Sequence, residues 1–197
     1  MNKKTIIIIG VVVLAGFIIY RLFGGSYNSM VSAEEKVSAQ WAQVENVYQR
    51  RADLIPNLVS TVKGYADFEQ ETLTKVIEAR AKATSITVSA DNLSPDKISQ
   101  FDAAQGELSS ALGRLLVSVE RYPDLKANQN FLDLQTQLEG TENRISVERM
   151  NFNNAVQEYN RYIRSFPQNM IAGMYGFETK GYFKSREGSD VVPEVKF

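Results

Sequence analysis

Three carboxylates near turns, Glu120, Asp124 and Glu142, are the residues that invite a catalytic reading. Hydrolysis of a glycosidic bond needs two such groups facing one another across a cleft. Here they come without an aromatic sugar-binding pattern, and Trp41 is the only tryptophan. Glu120 is therefore expected to cap or hydrogen-bond the turn at Pro123. Asp67, Glu69 and Glu71 make a second acidic group. Three acids can cage a hard cation, but this spacing matches no known calcium loop, and a solvated face is expected. Gly24-Gly25 and Gly173–Gly176 neither follow a strand nor open a helix with a Lys-Ser/Thr pair, so they do not form a phosphate cradle.

The inventory removes most other chemistries. The 197 residues contain no histidine and no cysteine. That excludes disulfides, thiolate metal sites, a cysteine nucleophile and any Ser-His-Asp triad. Lys and Arg number 22 against 23 Asp and Glu, a formal charge of -1. Nothing there resembles the one-sided basic charge that neutralises phosphates, so no nucleic-acid partner is expected. The chain is read as not an enzyme, with no catalytic residue, no metal and no cofactor.

A different set of polar residues lies beside apolar stripes. Arg51 and Asp53 precede Pro56, and Asn57 follows it. Arg149 and Asn153 stand four apart on one helix face, and Glu142 lies two turns before Arg149. Burying any of these alone costs about 1–3 kcal/mol, so they are expected in pairs. They read either as a buried network that fixes helix register or as a ligand or peptide site.

The elements that position these residues follow from periodicity. Tyr27, Met30, Val31, Val37, Trp41, Val44, Tyr48, Ile55, Leu58, Val62 and Tyr65 recur near every 3.5 positions, which predicts an amphipathic helix from about Ser26 to the mid-eighties. Pro56 interrupts it, with a kink or brief break expected near Asp53–Pro56. Residues 85–95 read as a loop, with Ser94 as N-cap and Pro95 at the first helical position. The next stripe is Ile98, Phe101, Leu108, Leu112, Leu115, Val119 and Tyr122, and a short turn spans Pro123–Lys126. The last long helix runs from about Asn128 to Ser165, with Phe131, Leu134, Leu138, Ile145, Phe152, Val156, Tyr159, Ile163 and Phe166 as its stripe. No stretch alternates as a half-buried strand does. The tail beyond Pro167 (Met170 to Phe177, then Tyr182-Phe183) is apolar. It reads equally as an arm folded onto the bundle end or as an exposed segment touching membrane or another subunit; 188–193 looks weakly structured.

Ahead of all this, Thr5–Phe23 carries no charge except Arg21. At about 1.5 Å per residue its length nearly crosses the roughly 30 Å hydrocarbon core of a bilayer. No small-residue cleavage site follows, which favours an uncleaved anchor over a signal peptide. Lys3 and Lys4 precede the uncharged run Ile6–Tyr20 and only Arg21 lies immediately after it, so the positive-inside rule places the N-terminus in the cytoplasm and the rest outside. Gly10 and Gly16 do not make the small-residue motif of tight span dimers. The expected architecture is all-α: an elongated up-and-down bundle of three to four long antiparallel helices preceded by one transmembrane helix. Its expected parts are an anchor over 1–25, a bundle over 26–167 and a C-terminal arm over 168–197.

Several of these residues belong to longer motifs. Arg51-Ala52-Asp53-Leu54-Ile55-Pro56-Asn57-Leu58-Val59, then Val62-Lys63-Gly64-Tyr65, resembles the signature of the LemA family. So does Glu120-Arg121-Tyr122-Pro123-Asp124-Leu125-Lys126-Ala127-Asn128, followed by Phe131, Leu134 and Leu138. Glu142-Asn143-Arg144-Ile145, Arg149, Asn153, Tyr159-Asn160, Phe166-Pro167 and Tyr182-Phe183 continue the match. The resemblance implies a bacterial, membrane-anchored helical bundle and attaches no enzymatic activity. The candidate structural or interaction network then comprises Arg51, Asp53, Asn57, Glu120, Asn128, Glu142, Arg149 and Asn153. The expected role is a non-enzymatic envelope scaffold or adaptor in the inner membrane that self-associates. The alternative is an accessory factor that modulates a membrane partner such as a protease or transporter.

Overall fold

The computed structural model describes residues 2–65 and 69–184, with the side chains of residues 15, 18, 19 and 21–23 also outside the described set. The tail at 188–193 and Asp67 of the acidic group lie outside the described residues. Among the described residues six helices follow in order: α1 (Lys3–Lys63), α2 (Gln70–Ser85), α3 (Pro95–Val119), α4 (Pro123–Lys126), α5 (Gln129–Arg164) and α6 (Gln168–Tyr175). The fold is a helical bundle, with no strand among the described residues.

α5 pairs with the second half of α1 and runs antiparallel to it. The partner on α5 falls from Glu158 to Glu142 as α1 advances from Lys36 to Arg51, and Asn128 at the head of α5 then meets Tyr65. α2 pairs with α3 in the same sense, through Lys82 with Glu107 and Glu69 with Arg121. Burial sorts the apolar side chains into two clusters stacked along the bundle. One holds Met30, Val37, Trp41, Val44, Tyr48, Phe101, Phe152, Tyr159 and Phe183. The other holds Ile55, Leu58, Val62, Val76, Leu108, Leu115, Leu125 and Phe131.

The break in the first helical stretch falls at Gly64, not at Pro56, and the helix ends there instead of continuing to the mid-eighties. Proline at 56 withholds the amide that would pair with the carbonyl of Ala52, one turn back. The structure supplies another donor: Arg80 Nε on α2 reaches the Ala52 oxygen at 2.8 Å. With that carbonyl satisfied, α1 passes through Pro56 without interruption. Arg80→Met is expected to cost about 1–2 kcal/mol in urea denaturation. Adding Pro56→Ala, which restores the missing amide, is expected to recover most of that loss.

Other boundaries follow their local signals. Pro95 opens α3 after Ser94, although the Ser94 side chain makes no capping bond. Asn128 caps α5, its side chain accepting from the amide of Phe131 at 3.1 Å. Gly176 closes α6 at φ 77°, a left-handed position that suits glycine. Phe166, expected on the buried stripe of α5, lies outside the helix and is exposed, because α5 ends at Arg164 and the chain turns at Ser165.

Part of the tail folds onto the bundle and part of it is exposed. Ile171, Ala172 and Phe183 are buried, while Met170, Met174 and Tyr175 face outward. At the other end, the described apolar side chains of α1 from Ile6 to Tyr20 are all exposed, between 48 and 74%. Among the described residues no helix is long and apolar enough to cross a membrane.

Candidate functional site

Arg51 occupies a core position on α1, four residues before Ile55 and three after Tyr48, where the stripe calls for an apolar side chain. It is buried, and its guanidinium fans across two other helices. Nη1 donates to Ser109 Oγ at 2.8 Å and to Glu142 Oε2 at 3.0 Å. Nη2 donates to Gln105 Oε1 at 2.5 Å and to the Gln105 carbonyl at 3.3 Å. Gln105 Nε2 in turn donates to the carbonyl of Ala83, at the end of α2. The ring of Tyr48 lies under the guanidinium, 5.0 Å from its centroid. One planar cation therefore joins α1, α3 and α5, and its glutamine partner carries the link to α2.

This layer separates the two apolar clusters. Tyr48, Phe101 and Ile145 lie on one side of it, and Ile55, Leu108 and Leu138 on the other. Sliding any helix by one turn would set Arg51 or Gln105 against hydrocarbon. A buried polar layer of this kind specifies register more than it adds stability.

Two turns along α5, Arg149 builds a second node. Nη1 donates to Asp102 Oδ1 at 2.8 Å, and Nη2 donates to Asp102 Oδ2 at 3.3 Å and to the Lys184 carbonyl at 3.0 Å. The guanidinium covers the Phe183 ring at 4.5 Å. Burial pushes the Tyr48 phenol up from its ordinary value, against the opposing pull of Arg149 and Arg51, so Tyr48 is a neutral hydroxyl between the two nodes.

The C-terminal segment is held to α5 by asparagines acting as strand partners. Asn153 donates to the Phe183 carbonyl and accepts from the Phe183 amide, both at 2.9 Å. Asn160 does the same for Lys180, both at 2.9 Å. The spacing explains the choice: seven helical residues rise about 10.5 Å, and three extended residues cover about 10 Å. Tyr159 donates to the Glu178 carbonyl at 3.0 Å, and Lys180 Nζ pairs with Glu34 at 2.7 Å. Glycine is required at 181, where a Cβ would come within 2.7 Å of the Pro95 Cα. Asn160→Ala strands both backbone groups of buried Lys180. Amide exchange at Lys180 and Phe183 is expected to quicken at least about tenfold, with α1 and α5 nearly unchanged.

Of the eight candidate residues, the structure gathers four, Arg51, Glu142, Arg149 and Asn153, along one face of the bundle. The other four lie apart. Asn128 caps α5 and donates to the Tyr65 hydroxyl at 3.1 Å. Asp53 is exposed and accepts from Gln49. Asn57 is exposed and contributes its backbone carbonyl to Thr61. Glu120 is exposed and pairs with Lys126 across the Pro123 turn. Neither Asp124 nor Glu142 faces it with a second carboxylate.

Asp102, Gln105, Ser109, Tyr48 and Asn160 complete the arrangement. Gln105 could have been found in the stripes themselves. Each shows a seven-residue gap, from Tyr48 to Ile55, from Phe101 to Leu108 and from Leu138 to Ile145, and Arg51, Gln105 and Glu142 fall inside these gaps. Three gaps that coincide when the helices pair mark a polar layer.

Between α3 and α5 the layer opens into a cleft of about 550 Å³, lined by Arg51, Asp102, Gln105, Glu142 and Arg149 among others. Each arginine already faces a carboxylate, and Lys184 at the rim adds one further positive charge. Among the described residues no group of three or more acidic side chains could hold a metal ion. Glu69 and Glu71 separate, one pairing with Arg121 and the other with Lys75. The polar groups of this arrangement hold helices and an arm together.

Comparison with known proteins finds relatives along nearly the whole chain. The chain is 27% identical to the protein LemA of Metamycoplasma hominis over 171 residues, 86% of this chain and 74% of that protein. It is 26% identical to the magnetosome protein MamQ of Magnetospirillum gryphiswaldense over 214 residues, covering 98% of this chain and 77% of that protein. Magnetosome protein MamQ 1 of Paramagnetospirillum magneticum is similar at 27% over 211 residues, 97% of this chain and 77% of its own length. None of these names denotes an enzyme. A family model described as the LemA family matches residues 40–197, a stretch that contains Arg51, Gln105, Glu142, Arg149 and both arm-holding asparagines. The chain belongs to the LemA family.

Proposed function

We propose that this protein is a non-enzymatic scaffold or adaptor, held in the bacterial inner membrane by α1 and exposing its bundle on the outer side. The exposed apolar run at the start of α1 carries this reading. Nine of its described side chains, from Ile6 to Leu14 with Gly10 left aside and with Phe17, are aliphatic or aromatic, and all of them are exposed. At about 25 cal/mol per Å², leaving that surface in water is costly, and hydrocarbon removes the cost. The anchor reading joins this exposure to the composition of Thr5–Phe23, six of whose side chains lie outside the described set. Lys3 and Lys4 before the run keep the N-terminus inside.

The scaffold role rests on what the bundle is made for. Its polar groups are consumed in fixing helices and arm, and α5 still presents Val147 and Met150 outward for lateral contact. Two experiments test the reading. Protease added to intact spheroplasts is expected to cut the bundle; a protected bundle overturns the orientation. Cross-linking and sizing in mild detergent are expected to give multimers of this chain alone. A monomer that co-purifies in fixed ratio with one other membrane protein instead supports the accessory-factor reading.

A further inference from the structure

We infer that the outward face of α6 is a second membrane contact, a foot that rests in the headgroup layer beside the anchor. This rests on the anchor reading above and adds a contact that the anchor does not require.

The observation is an exposed apolar face. Met170 and Met174, one turn apart on α6, are 62 and 71% exposed; Tyr175 beside them is 57% exposed, and Phe166 in the turn before the helix is 80% exposed. The opposite face of α6 is docked through buried Ile171 and Ala172. The helix is therefore fixed to the bundle by one side and offers hydrocarbon on the other. A Cβ built on Gly173, between the two methionines, meets nothing within 4 Å, so among the described residues nothing covers this face.

Position identifies what does. Tyr175 packs on Tyr27 of α1, with ring centroids 4.9 Å apart, and Phe177 packs on the same ring at 5.7 Å. Tyr27 stands one helical turn, about 6 Å, beyond Phe23, where the apolar run ends. That is the depth of lipid headgroups, where an amphipathic segment buries its apolar face about 5–10 Å into the boundary. Tyrosine is favoured at that level, and methionine adapts its unbranched, polarisable chain to an irregular surface. A second copy of the chain is the poorer occupant. Four exposed side chains fall far short of the roughly 20–30 residues a side that a standard protein interface buries.

The absence of cysteine makes a direct test clean. Full-length protein is made with a single cysteine at Met174, and separately at Met170, at Val12 in the anchor, or at Val117, which is exposed at the far end of α3. Each is labelled with an environment-sensitive fluorophore and reconstituted in phosphatidylcholine–phosphatidylglycerol vesicles, with or without lipids brominated near the glycerol. Trp41 emission reports that each variant is folded. The labels at Met170 and Met174 are expected to be quenched by brominated lipid at least about threefold more than the label at Val117, with Val12 also in lipid. Quenching at Val12 with Met170 and Met174 no different from Val117 overturns the foot and leaves the anchor standing. A water-exposed label at Val12 overturns the anchor, and the foot falls with it. Shielding at Met174 that ignores brominated lipid and grows with protein density assigns the face to a second copy and overturns the proposal.

Discussion

Arg51→Met is expected to destabilise the bundle by about 2–4 kcal/mol in urea denaturation followed by the fluorescence of Trp41. Methionine replaces most of the aliphatic stem, so the loss comes from partners rather than from volume. Glu142 is half-buried and can turn to water. Gln105 cannot: it is buried, and its side-chain oxygen loses the donor at 2.5 Å. Stranding that oxygen accounts for about 1–3 kcal/mol by itself. Arg51→Lys is expected to recover little, because one ammonium cannot serve four acceptors on two helices as the planar fork does. The revealing variant is Arg51→Met with Gln105→Leu. Joining the two apolar clusters through the layer is expected to restore stability to near the original value while loosening register, seen as broadened amide resonances in α3 and α5. A double variant as unstable as Arg51→Met would show that the layer contributes stability and not specificity.

Trp41→Ala is expected to cost about 3–5 kcal/mol, followed by far-ultraviolet circular dichroism since the fluorophore is gone. Trp41 is fully buried where three helices and the C-terminal segment meet. Its ring lies 5.3 Å from Phe101 on α3, 5.4 Å from Phe152 on α5 and 6.1 Å from Phe183 of the arm. Nε1 donates to the carbonyl of Val88 at 3.0 Å, which pins the loop between α2 and α3. Truncation opens a cavity among rings too rigid to collapse into it. Trp41→Phe separates the two contributions. It keeps the aromatic contacts and strands the Val88 carbonyl, with an expected cost of about 1–2 kcal/mol and faster exchange in residues 86–93. Loss of the arm is expected for alanine and not for phenylalanine, since phenylalanine keeps an aromatic face on which Phe183 can stack.

Helices were legible where apolar residues recur without interruption. The stripes of α3 and α5 fall on the buried residues from Ile98 to Val119 and from Phe131 to Ile163, and Asn128 was legible as a cap from its type and place. What stayed hidden depended on partners far along the chain. Pro56 reads locally as a break, and nothing near it shows that Arg80 completes the helix there. Arg51 was found because its charge stands out on an apolar stripe, whereas Gln105, equally buried, is ordinary in a helix until its gap is aligned with two others. Asp53, Asn57 and Glu120 belong to the same motifs as Arg51 and Asn128, but motif membership does not say which way a side chain faces. The arm was ambiguous for a different reason. Its apolar residues serve two surfaces, Ile171 and Phe183 inward, Met170 and Met174 outward, and composition alone does not divide them.

Extraction of bacterial membranes containing the full chain with alkaline carbonate bears most directly on the anchored bundle. That treatment strips proteins held by surface contacts and leaves those held through hydrocarbon. The chain is expected to stay entirely with the lipid pellet, and to remain there when Met170 and Met174 are both replaced by glutamine. Recovery of the intact polypeptide in the carbonate supernatant would contradict the anchor, and with it the placement of the protein in the membrane.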